Sequence, residues 1–387
     1  MIEPNELLQR ALALRPQIVE RRRLLHSQPE LSFQEVNTAE AASLWLEEIG
    51  FTVKRGIAGT GVIAEHGTGK TVAIRSDMDA LPGFEANRSN YVSRIPGAMH
   101  ACGHDAHLAI VIAAAKLVKE AKTEGCIRII LQPGTEEAEK DGNNGARMML
   151  EQGALEDVSA LLGLHVDATI ETGTVGILST PLNSLLCGYS LSISAESLQA
   201  NKAADALPFT NKLVTAIYKL SQELSSGAEP VGISIGSVNS SSQRGNILSQ
   251  EALIAGTISS ANQAGLTRGQ EGLTRTINTL KTEGISVTLE TREIASMSSQ
   301  SAAVTEILRT AAITLIGENR VSAVNRKTWA SDFAMLANKA PAAFLYLGCQ
   351  IAGSRRIHHH PSFDLDESGL HLGAGLLALT ALQLLEQ

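Results

Sequence analysis

The sequence predicts an α/β protein in which a largely parallel or mixed sheet lies between helices and is interrupted by a smaller α+β domain. Strand-like and helix-like runs alternate from the N-terminus to about residue 185. From residue 186 the order becomes β-α-β-β-α-β, the split βαβ arrangement of a ferredoxin-like unit. Near residue 298 the first character returns and continues to the end of the chain. A length of 387 residues suits two such domains at roughly 150 residues each. The expected division is a discontinuous larger domain, 1–185 with 298–387, and an inserted domain, 186–297.

Residues 5–25 have helical periodicity, and Asn37-Thr38-Ala39-Glu40 reads as a capping box opening a second helix that Gly50 closes. Strands follow at 61–66 and 71–76, joined by Gly67-Thr68-Gly69-Lys70, which reads as a hairpin turn. A phosphate-binding role for that turn is set aside: Ala64 stands where the first glycine belongs, and a strand rather than a helix follows. An Ala-rich helix spans 106–120, a strand 127–132, a helix 146–152 and a strand 160–166. In the inserted unit, strands at 189–195, 231–237, 247–259 and 285–292 frame helices at 208–224 and 266–281. Ser-rich stretches at 239–243 and 296–301 fit a loop and the return linker. A helix at 302–316, a strand at 342–347, a His-rich loop and a final helix complete the chain.

Hydrophobic residues at 44% and charged residues at 19% describe a globular chain with a full core. A net charge of −8 and only 3% aromatics exclude the basic, base-stacking surface of a nucleic-acid binder and the polybasic face of a membrane-surface protein. Arg21, Arg22 and Arg23 are the one compact basic run and read as a solvated helix face. The first twenty residues mix charges into the apolar pattern, so no targeting segment is expected there. The apolar stretch 370–385 is short for a membrane span and reads as a buried helix. Cys102, Cys126, Cys187 and Cys349 are widely spaced without a CxxC pair, which suits reduced thiols and a cytoplasmic location.

Histidine placement carries the functional information. All ten histidines lie outside the inserted unit, with none between His165 and His358. They concentrate in Met99-His100-Ala101-Cys102-Gly103-His104-Asp105-Ala106-His107, at His165 after an apolar strand, and in His358-His359-His360-Pro361. Metal-assisted amide hydrolysis needs nitrogen or sulfur ligands for one or two divalent ions, and a separate carboxylate to take a proton from water. Gly103 lets the loop turn so that Cys102 and His104 converge, and in the pair Glu136-Glu137 one residue can ligate while the other acts as base. Asp77 or Asp79 can hold an imidazole in the ligating tautomer. His100 and His107 read as packing or hydrogen-bonding residues around the loop.

RRRLLHSQPELSFQE (21–35), RSDMDALP (75–82), MHACGHDAH (99–107), the EE pair after QP (132–137), GLHV (163–166) and HHPSFDLDE (359–367) together resemble the metal-dependent amidohydrolase family. That family includes hippurate hydrolase, N-acyl-amino-acid aminoacylases and plant auxin-conjugate hydrolases, and is related to glutamate carboxypeptidases and dinuclear-zinc aminopeptidases. The resemblance implies a zinc-peptidase-like catalytic domain with an inserted ferredoxin-like lid. It implies Cys102, His104, Glu137, His165 and His359 as ligands of two divalent ions, zinc or manganese, with Cys102 bridging. Glu136 would be the general base, with Asp77 and Asp79 in support. The substrate would be a small amide, and the lid would join two copies in a homodimer.

The lid departs from the family pattern. The usual lid histidine segment reads Ala195-Glu196-Ser197-Leu198-Gln199-Ala200-Asn201, and the usual Gly-Thr-x-Arg reads Gly256-Thr257-Ile258-Ser259. Asn246 remains in the lid-asparagine position; Arg244 and Asn201 are candidate substitutes. The leading expectation is a hydrolase of a small N-acyl-amino-acid-like amide. A dipeptidase or carboxypeptidase of the same family, or a weakly active metal-binding relative, stands beside it.

Overall fold

The computed structural model describes residues 2–136, 144–178, 185–196, 204–226, 229–242, 247–295, 301–324 and 332–387. In chain order the elements are α1 (Pro4–Ser27), α2 (Val36–Ile49), β1 (Thr52–Ile57), β2 (Gly61–Thr68), β3 (Thr71–Asp77), the short pair β4 (Leu81–Pro82) and β5 (Ala98–Met99), α3 (His104–Glu120), β6 (Gly125–Gln132), α4 (Gly145–Glu151), β7 (Val158–Glu171) and β8 (Val175–Leu178). Then come β9 (Leu185–Ala195), α5 (Leu207–Ser225), β10 (Val231–Ser240), β11 (Glu251–Ser260), α6 (Gln263–Leu280) and β12 (Ile285–Ala295). Last are α7 (Ala302–Ile316), β13 (Val321–Val324), α8 (Phe333–Ala337), β14 (Ala342–Gln350) and α9 (Leu370–Glu386).

The chain divides into two compact units, one of Met1–Thr180, Ser299–Asn325 and Met335–Gln387, the other of Pro181–Ser298 and Arg326–Ala334. In the first, described strands form a mixed eight-stranded sheet in the order β1-β2-β6-β3-β7-β14-β8-β13. β3, β6, β7 and β14 run parallel at its centre. Their side chains are buried almost throughout, as expected of strands covered on both faces. The helical stretch Glu367–Glu386, which ends in the apolar helix α9, is long and apolar enough to cross a membrane by length and composition; here 83% of its most apolar window is buried within the protein, and α9 packs against α1, α3 and α7.

Two local expectations are corrected. The 67–70 turn does not close a hairpin: β6 lies between β2 and β3, antiparallel to the first and parallel to the second. The apolar run Cys126–Leu131 gains a neighbour on each side there, which an edge position would deny it. α2 begins at Val36 and has no side-chain cap of its own; Glu30 accepts the N–H groups of Asn37 and Thr38 at 3.1 and 2.8 Å. A carboxylate outside the helix thus does the work assigned to a capping box, while Gly50 closes the helix in the left-handed conformation at φ 93°.

In the second unit, β10-β11-β9-β12 form an antiparallel sheet, the ferredoxin-like strand order, with α5 and α6 packed on it through Phe209, Leu213, Ile217, Leu266 and Leu273.

Candidate metal and catalytic centre

The site lies just beyond the C-terminal ends of the parallel strands, where open α/β sheets present ligands. β3 ends at Asp77 with Asp79 two residues on, β6 leads to Glu136, β7 carries His165 just past its pairing with β3, and β14 leads toward His359. Cys102 and His104 come from the start of α3, whose N-cap is Gly103 at φ 92°. A Cβ on Gly103 would stand 2.4 Å from Val166 Cγ2, so only glycine allows this close approach to β7. His359 itself holds a left-handed φ of 64°, a conformation uncommon for a side-chain-bearing residue.

Ring partners fix which nitrogens are available. His104 Nδ1 donates to the carbonyl oxygen of Asp79 at 2.8 Å, with the Asp79 carboxylate at 3.1 Å. Its Nε2 therefore faces Glu136 Oε1 at 3.5 Å and Asp77 Oδ2 at 3.7 Å. His165 Nδ1 donates to the Val166 carbonyl at 2.6 Å, which turns its Nε2 lone pair toward Cys102 Sγ at 3.3 Å. His359 Nε2 also lies 3.3 Å from Cys102 Sγ and 3.6 Å from Glu136 Oε1. His107 has no nitrogen to spare: Nδ1 meets Asp77 at 2.6 Å and Nε2 accepts the Val166 N–H at 2.9 Å. Asp77, His104 and His107 thus cluster as a hydrogen-bonded support, although their donor atoms lie close together.

Electrostatics favour a cation at the remaining donors. Cys102, Glu136 and His359 offer one ligand atom each within mutual reach, as do Cys102, His104 and His165. Burial, reinforced by Glu136, pushes the Cys102 thiol up, and burial with the help of Asp79 pushes the Glu136 carboxyl up to about 7. Burial works against a charged His104, yet Asp77, Cys102 and Asp79 hold its pKa well above the usual imidazole value. A thiol, a carboxylate and inward lone pairs packed in this way call for positive charge between them, and the donor set fits divalent metal ions.

Around this centre, a buried ionic cluster corrects the reading of Arg21 and Arg22 as a solvated face; the Arg23 side chain stays 42% exposed. Arg22 is fully buried and pairs with Asp105 at 2.9 Å, Asp364 at 3.1 Å and Glu367 at 2.9 Å. Arg21 is buried too, its guanidinium 4.9 Å from the Trp45 ring centroid. The long-range carboxylates that neutralise Arg22 are invisible to a local charge pattern. His26 joins the cluster at 2.7 Å from Asp105 and 3.2 Å from Glu85. This network ties α1 to Asp105, beside His104, and to the segment after His359.

His358 packs on Phe363 and His165, and exposed His360 bonds Ser362. Glu137, Asn201, Arg244 and Asn246 lie outside the described residues. The sequence reading missed Arg22, His26 and Glu35 as supports, although all three stand in the 21–35 motif; their partners are distant in sequence.

The chain is similar to several known proteins. The sequence pattern of peptidase family M20/M25/M40 matches residues 73–383. The N-acetylcysteine deacetylase of Bacillus subtilis is 30% identical over 384 residues, covering 97% of this chain and 98% of that protein. The IAA-amino acid hydrolase ILR1-like 6 of Arabidopsis thaliana is 30% identical over 373 residues, covering 93% and 78%. A crystal structure of a dinuclear metal-binding peptidase of the M20 family from Bacillus subtilis superposes with a TM-score of 0.74 at 28% identity, covering 97% of this chain and 99% of that one.

Proposed function

The chain belongs to peptidase family M20/M25/M40 and is a metal-binding amide hydrolase; from that premise we propose that it cleaves small N-acyl-amino-acid-like amides. The supporting observation is the convergence of Cys102, His104, His165, His359 and Glu136 at the strand ends. Cys102, His104, Glu137, His165 and His359 would hold two divalent ions, zinc or manganese. Thiolate and imidazole suit zinc, and the carboxylates keep manganese in play. When bound, such ions supply Lewis acidity to a carbonyl oxygen and acidify water.

The chain's own groups do the rest. Asp79 holds His104 in the ligating tautomer and also accepts the backbone N–H groups of Thr135 and Glu136, both at 2.8 Å. Glu136, mostly buried with its pKa raised to about 7 by that burial, is poised to take a proton from the attacking water and deliver it to the leaving nitrogen. Residues 186–297 would act as a lid and join two copies, with Asn246 and Arg244 contacting substrate. Four free, buried thiols suit the reducing cytoplasm.

Glu136→Gln tests the reading. It keeps shape and hydrogen bonding while removing the base. Bound metal should persist while hydrolysis of N-acetyl amino acids falls by at least about 100-fold. A variant that keeps most of its activity would remove Glu136 from the role.

A further inference from the structure

We infer that residues 32–35 form a clamp that positions Glu136, with Glu35 as its principal positioning residue; the inference rests on Glu136 acting as base. The loop leaving β6 is held along its backbone by two buried carboxylates. Gly134 N–H donates to Glu35 Oε1 at 2.9 Å, while Thr135 and Glu136 donate to Asp79 Oδ2 at 2.8 Å each. Glu35 is fully buried, and its other oxygen accepts the Thr60 hydroxyl at 2.5 Å.

The same short segment acts in two further ways, one through Asp79 and one directly on the loop. Ser32 Oγ donates to Asp79 Oδ2 at 2.7 Å, sharing the oxygen that holds Thr135 and Glu136. The Phe33 ring lies flush on Gly134, where a Cβ would stand 2.3 Å from Phe33 Cζ, and both residues hold left-handed φ values, 61° and 56°. Behind the segment, Ala80 N–H bonds the Glu30 carbonyl at 2.8 Å, and Leu31 bridges Ala80, so backbone pairing joins the clamp to Asp79. One acceptor would satisfy one buried N–H. Four contacts, one each from Glu35 and Phe33 and two from Asp79, fall on the consecutive residues Gly134, Thr135 and Glu136 and instead define where the Glu136 carboxylate sits.

Displacing a reacting group by about 1 Å can cost about 100-fold in rate. In the metal-loaded full chain, assayed on N-acetyl amino acids, Glu35→Ala should therefore lower kcat about 10- to 100-fold with KM and bound metal unchanged. Glu35→Gln, which keeps an acceptor for Gly134, should restore most of that loss. Should Glu35→Ala not accumulate as folded protein, Ser32→Ala carries the test, with a fall in kcat of about 3- to 10-fold at constant KM. Wild-type kcat in the folded variant overturns the clamp, as does a loss that falls on KM or metal content alike in Glu35→Ala and Glu35→Gln. An active Glu136→Gln would overturn the base reading itself; an inactive one beside an unaffected Glu35→Ala overturns the clamp alone.

Discussion

Replacing Gly103 by alanine probes how the fold brings Cys102 and His104 together. The residue holds φ 92°, and the new methyl carbon would lie 2.4 Å from Val166 Cγ2, on a side chain with no solvent exposure. A left-handed conformation costs an L-residue about 1–2 kcal/mol, and forcing a methyl into a filled core about 1–3 kcal/mol more. The sum, about 2–5 kcal/mol, corresponds to a fall in Tm of roughly 5–15 °C. Thermal melts of Gly103→Ala, Val166→Ala and the double variant separate the two contributions. Removing Cγ2 from Val166 should recover the steric part and leave the backbone part, so the two substitutions should couple by about 1–3 kcal/mol. Strict additivity, or a Gly103→Ala protein that melts with the wild type, would refute the close-approach argument.

His26 offers a pH test. Burial opposes its charge, but Asp105 and Glu85 win and raise its pKa from 6.5 to about 9. Its stabilisation is thus complete below the unfolded pKa and fades as pH rises through about 9, a span on the order of 3 kcal/mol. Denaturant titrations of wild type and His26→Gln should converge as pH rises from 6 to 10; parallel curves would mean that His26 is neutral. Cys102 should resist alkylation in metal-loaded protein and label after chelation, since a metal-held thiolate is withdrawn from reaction. Cys126, Cys187 and Cys349 serve as controls, and equal labelling of Cys102 in both states would make it a structural thiol. For the substrate, Ser259 stands in β11 where the family pattern expected from the motif resemblance has arginine, and an uncompensated buried carboxylate is costly. An amidated or esterified N-acyl amino acid should then match or exceed the free acid in kcat/KM. A strong preference for the free acid that survives Arg244→Ala would defeat this prediction.

What the sequence reveals follows the range of the interactions involved. α7 is found at its expected bounds, because amphipathic periodicity and a Ser301 cap are local signals. The Cys102–His104 and Glu136 clusters stood out because chemistry-bearing residues gather within a few positions of one another. Short strands such as β8 and β13 did not, since four residues carry little pattern. Nor did the position of β6, which depends on neighbours on both sides. Arg22 and Glu35 were opaque for the same reason: the carboxylates of Arg22 lie 83 to 345 residues away, and Glu35 meets Gly134 across 99. Local charge reads Arg22 as solvated until its tertiary partners are known.

The most direct test of the metal centre is elemental analysis of the purified full chain after equilibration with zinc or manganese and removal of free ion. Two ions per chain are expected in the wild type, and at most one in Cys102→Ala, which loses the donor facing both His165 and His359 at 3.3 Å. A wild-type chain that retains no metal, or a Cys102→Ala chain that retains both ions, would contradict that expectation.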